Sequence, residues 1–60
     1  MVSPIDIQKA LSGIDYPASK DDIVKHAESH GGGKDVIDAL KGIDDREYEG
    51  PSGVSSAVFD

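Results

Sequence analysis

Two histidines four residues apart, His26 and His30, are the first groups in this 60-residue chain whose spacing could do chemistry. On a helix that spacing puts both imidazoles on one face, within reach of a single metal ion. A zinc-protease helix needs Glu directly after its first His, and here Ala27 holds that place. The chain has no cysteine, so a third ligand would have to be a carboxylate from elsewhere. The expectation is therefore structural. His26 should pack or hydrogen-bond at the edge of the core, and His30 should sit favourably at the C-terminal end of its helix. No metal or cofactor is expected.

The densest acidic cluster is Asp44, Asp45, Glu47 and Glu49. Paired carboxylates can move protons or hold a divalent cation when a concave, partly dry setting fixes their separation. Sixty residues supply little material for such a cleft, and the loop lacks the EF-hand pattern. The cluster reads as a solvated face or a recognition patch, with no catalytic residue in it.

Arg46, the only arginine, lies inside that cluster. Its fork could lock the turn onto a carboxylate of another element, or be presented to a partner. Tyr48 is expected to be partly buried with its hydroxyl at the rim. Tyr16, beside Pro17, is expected to lie as an aromatic lid on the core. Aromatic and arginine side chains yield the most interface energy when buried, so Tyr16, Arg46 and Tyr48 are the candidates for partner recognition. The same three could instead complete the fold.

Gly31-Gly32-Gly33-Lys34 invites comparison with a phosphate-binding loop, but Asp35 stands where that motif needs Ser or Thr. The preceding segment also has a helical pattern where the motif has a strand.

The elements that must position these groups are legible from their punctuation. Ser3 can cap a helix that has Pro4 at its first position and Asp6 in its first turn. That helix should stop near Ser12, with Gly13 in the left-handed conformation and Ile14 folded back. Asp15 to Ser19 reads as a linker in which Pro17 keeps Tyr16 extended. Ser19 caps a second helix from Lys20 to about His30, with Asp22 three residues on in a capping-box variant. Ile23, Val24 and Ala27 form its buried stripe.

The triple glycine ends that helix. Lys34–Lys41 is a third, with Val36, Ile37 and Leu40 inward, Gly33 as a side-chain-free cap and Gly42 as terminator. The acidic segment is expected to be a turn or a single helical turn. Pro51 then opens a fourth helix with Val54, Ala57 and Val58 inward. Gly53, Ser55 and Ser56 are poor interior helix residues, so this helix is expected to be the shortest and the most dependent on docking.

Strict alternation is hard to find, so a β reading does poorly. The expected architecture is all-α: a single domain over residues 1–60, a compact bundle of three to four short helices. At this length folding buries only about 60% of the surface that the unfolded chain exposes, which leaves a thin core.

Twelve acidic residues against six basic ones give a formal charge of −6 and a pI near 4.5. That field slows approach to nucleic acid and to anionic membranes and favours basic partners. A helix-turn-helix comparison for the second and third helices meets Asp21, Asp22, Glu28, Asp35 and Asp38, the wrong charge for phosphates. A nucleic-acid module would need three or more of Lys9, Lys20, Lys25, Lys34 and Lys41 on one face. No apolar run approaches the roughly 18 residues that span a bilayer. The chain starts without the basic and apolar run of a secretory signal, so the expected location is cytoplasmic.

The run Leu11-Ser12-Gly13-Ile14-Asp15-Tyr16-Pro17-Ala18-Ser19-Lys20, followed by His26-Ala27, resembles a bacterial family of small domains of unknown function, catalogued as number 2795. The likeness continues in Asp38-Ala39-Leu40, in Asp45-Arg46-Glu47-Tyr48 and from Pro51 to Val58. This chain departs from the family pattern in having Ile43-Asp44 for Leu-Pro, His30 for Asn, and Gly50 and Gly53 for a serine and an acid. The resemblance implies a compact helical domain, sometimes alone and sometimes attached to other segments. It implies no activity and no ligand.

The functional expectation is a small acidic helical domain acting as a protein-interaction or regulatory module, not an enzyme. Its partner would be a protein, or a second copy joined through leftover apolar surface of the third or fourth helix. A nucleic-acid-associated module and a small metal protein or hydrolase are the alternatives.

Overall fold

Ser3 opens the first helix with a reciprocal pair of bonds. Its hydroxyl accepts from the Asp6 amide at 3.4 Å, and its own amide donates to the Asp6 carboxylate at 3.0 Å. Two amides that the helix start would leave free are satisfied at once. In this computed structural model, which describes residues 2–59, the helix is α1, Pro4–Ala10. Gly13 then takes φ +81 and the Ile14 amide donates back to the Leu11 carbonyl at 3.1 Å. That return folds Ile14 against the core.

The other helices start and stop where the punctuation places them. The Asp22 amide donates to the Ser19 hydroxyl at 3.2 Å at the head of α2, Lys20–Ser29. Only that half of the capping box is present. Gly31 at φ +72 turns the chain out of α2. Helix α3, Lys34–Lys41, starts at Gly33 with no side-chain cap and ends at Gly42, whose φ of −88 is ordinary right-handed backbone. Helix α4 is Pro51–Phe59.

Two expectations need correction. The acidic segment is not a helical turn: Glu47–Tyr48 is a short strand, β2, paired antiparallel with β1, Ala18–Ser19. Ala18 faces Tyr48 and Ser19 faces Glu47, so the expected linker and the acidic turn are zipped together. The peptide bond between Tyr16 and Pro17 just before β1 is cis. Second, α4 is not the shortest helix. It has nine residues against seven in α1 and eight in α3. Val54 is fully buried, Ala57 and Val58 pack beside it, and Gly53 lies close to the Tyr48 ring. Burial overrides weak propensity there.

The core draws on every element: Ile7, Ala10 and Leu11 from α1 and its end, Ala18 from β1, Ile23 and Ala27 from α2. Val36, Ile37 and Leu40 from α3, then Ile43, Tyr48 and Val54, complete it. Val24 lies half-buried at the edge of the stripe where it was expected inside. The molecule is a small, mostly helical bundle of four short helices, and among the described residues no polar or charged residue is buried in it.

Candidate interaction surface

The two imidazoles do share a face of α2. Their rings stack with centroids 4.1 Å apart and planes 19° from parallel. Nε2 of His26 lies 2.8 Å from the Ser12 carbonyl. A carbonyl only accepts, so that nitrogen carries the proton and donates. His26 thereby ties the loop after α1 to α2, at the core edge where the sequence places it. The pair overlooks an open hollow of about 510 Å³ shared with Asp15, Asp22, Lys25 and Ser29. Among the described residues no three His, Asp or Glu side chains gather as a metal site.

The acidic turn is organised by Tyr48. Its ring is 2% exposed and its hydroxyl donates to the Asp44 carbonyl at 2.7 Å. The expected rim position is therefore too shallow. Pairing with Ala18 draws the ring into the interior, where Gly53 leaves it room. The Arg46 guanidinium stands over the same ring, 4.9 Å from its centroid. That is a cation–π contact, so the arginine packs on the aromatic face. Asp44, Asp45, Glu47 and Glu49 all remain exposed around it.

Tyr16 is elsewhere. It forms a wall of a hollow of about 380 Å³ between α1 and α4, floored by Ile7, Leu11 and Ile14 and rimmed by Gln8, Pro51 and Ser55. Partial burial there raises the pKa of its phenol above the ordinary 10.0, because the charged form would lose solvation. Tyr16 and Arg46 line different hollows, so the three candidate recognition residues do not share one hollow. Arg46 borders another hollow with Ile43, Asp44, Ser56 and Ala57.

A second hollow, about 500 Å³, continues along the same α1/α4 face past Pro4, Ser52 and Phe59. Gln8, Pro51 and Ser55 belong to both. Among the described residues, none lining either hollow is charged, although 30% of the chain is. Phe59 is 44% exposed on this face. Ile5, 62% exposed, precedes Gln8 by three residues and so borders the same face. These are the exposed large apolar side chains of the described residues. The signal was present in the sequence, since Gly50 to Phe59 contains no Asp, Glu, Lys or Arg. Attention to chemically reactive residue types passes over such a stretch.

Comparison with known proteins gives one family match. The model of a family described as "Protein of unknown function (DUF2795)" matches residues 2–55. No curated protein and no solved structure matches the chain. No helix among the described residues is long and apolar enough to cross a membrane.

Proposed function

From a chain that belongs to the DUF2795 family of proteins of unknown function, we propose a protein-interaction module that works by binding, without catalysis, through the α1/α4 face. The observation that carries this reading is the uncharged, partly apolar strip along α4, open to solvent at Phe59. Exposed apolar surface collected in one place, on a chain of which 30% of the residues are charged, is a mark of a surface that another protein covers. Tyr16 contributes an aromatic wall with a polar tip, a side chain favoured at interfaces. The exposure of every described carboxylate supports binding over acid–base chemistry.

The test is co-purification from native cytoplasm with tagged wild type, Gln8→Arg, Ser52→Arg and Asp38→Arg. Gln8 and Ser52 are exposed on the α1/α4 face, and Asp38 is exposed on α3 away from it. Each variant must first show wild-type helical circular dichroism. The expected result is a specific protein held by wild type and Asp38→Arg and lost by the other two. Retention of the same proteins by all four would overturn the reading.

A further inference from the structure

We propose that His26 and His30 form a two-imidazole site for a borderline divalent transition-metal ion, copper(II) first among them, at the C-terminal end of α2. The site is independent of the α1/α4 face. Its two rings already lie with centroids 4.1 Å apart on one side of the helix. What residue types alone do not show is the tautomer. His26 donates its Nε2 proton to the Ser12 carbonyl at 2.8 Å, so its Nδ1 keeps a lone pair. That is the usual form of a histidine ligand: a carbonyl on the other nitrogen fixes the ring and raises its basicity. Among the described residues no hydrogen bond takes up Nδ1 of His26 or either ring nitrogen of His30.

The surroundings favour a cation. The hollow that the pair overlooks sets Asp15 and Asp22 against Lys25 alone, on a chain with a formal charge of −6. His30 is the C-cap of α2, at the negative end of the helix dipole. No carboxylate among the described residues gathers with the pair as a third ligand, so the remaining coordination positions belong to water. Zinc in a structural site takes four protein ligands. Copper(II) binds nitrogen ligands more tightly than nickel or zinc does, so it is the ion that two imidazoles hold best.

One movement is required. Rings only 19° from parallel cannot both aim a lone pair at a single ion, so His30 must turn out of the stack. It is exposed and held by no hydrogen bond among the described residues, so the stack is what it gives up. His26 stays on Ser12 as the fixed half of the site.

Calorimetric titration of the untagged full chain with Cu2+ alone tests the assignment, beside His30→Gln, with circular dichroism of both metal-free proteins to show the same fold. Losing even an outer partner of a ligand weakens a metal site by about 10–100-fold. His30→Gln removes a ligand and leaves the Ser12 bond in place, so it should bind Cu2+ at least about tenfold more weakly than wild type. Pulsed electron paramagnetic resonance of wild type at one equivalent of Cu2+ should show two imidazole nitrogens on the ion, and His30→Gln should show no more than one. Equal affinity of the two proteins would overturn the assignment, because the ion would then sit elsewhere on the chain. A wild-type spectrum with fewer than two imidazoles, or no binding by wild type, would overturn it as well.

Discussion

The hydroxyl of Tyr48 reaches back four residues to the carbonyl of Asp44 at 2.7 Å, closing the acidic turn over a ring that is 2% exposed. One side chain thus serves the core, the turn and the two-strand ladder. Tyr48→Phe keeps the ring and deletes the bond, so it should cost about 1–2 kcal/mol in urea unfolding. Tyr48→Ala removes the ring as well and should cost about 3–5 kcal/mol. A chain of this length has only about 3–9 kcal/mol in total, so the alanine variant should be largely unfolded when warmed. Equal urea midpoints for wild type and Tyr48→Phe would show that the turn does not depend on that hydroxyl.

Arg46 over the Tyr48 ring is a lesser contact at the surface. Arg46→Ala should cost about 0.5–1 kcal/mol and leave the proteins captured in co-purification unchanged, since the guanidinium lines neither hollow of the α1/α4 face. Loss of a partner with stability preserved would move the binding site to the acidic turn.

How much of this was legible in the sequence depends on the range of the interaction. Ser3, Ser19, Gly13 and the triple glycine act within four residues, and the helices follow them closely. The β1/β2 ladder joins residues nearly thirty apart, through strands two residues long, and two residues cannot show an alternation. Missing that pairing also put Tyr48 at the rim, because nothing local announces that Ala18 will draw it inward. The length of α4 escaped for the same reason: its propensity is local and weak, and its docking is not. Of the candidate recognition residues, Tyr16 alone lies on the uncharged face, and the face itself was visible only as a stretch without charge.

The α1 capping box should have a pH signature. The amide of Ser3, then its hydroxyl, donates to the Asp6 carboxylate and holds its pKa below the ordinary value. A carboxylate with a lowered folded-state pKa stabilises the fold above its unfolded-state pKa. That contribution disappears as pH falls through the folded-state value. Wild type should therefore melt higher than Asp6→Asn at neutral pH, with the gap narrowing below about pH 4. A constant gap from pH 7 to pH 2 would mean that the charge plays no part.

Tyr16 should titrate late. Its phenol loses solvation in the α1/α4 hollow, so ultraviolet absorbance of wild type minus Tyr16→Phe should show a midpoint above 10. The sign for stability follows. With the folded-state pKa raised, the fold is favoured fully below the unfolded-state value and loses that advantage as pH rises through the folded-state one. A midpoint at or below 10 would place the hydroxyl in open water.

The three consecutive glycines between α2 and α3 should respond in opposite ways to substitution. Gly31 sits at φ +72, where a Cβ meets the backbone whatever the space around it. Gly31→Ala should cost about 1–2 kcal/mol, the usual penalty for a left-handed L-residue. At Gly32 a Cβ would stand 2.9 Å from the Ala27 carbonyl oxygen, which accepts the Gly32 amide, so Gly32→Ala should destabilise by displacing that bond. Gly33 differs from both. It caps α3 from extended backbone with φ −65 and ψ 161, and nothing lies within 4 Å of the position that a Cβ would take. Serine there could accept from a free amide of the first turn while reducing the freedom of the unfolded chain. Gly33→Ser should therefore raise stability by about 0.5–1 kcal/mol. Thermal melts of the three single variants decide the matter. A Gly33→Ser protein less stable than wild type would show that the turn needs glycine along its whole length, not only where φ is positive or the backbone passes close.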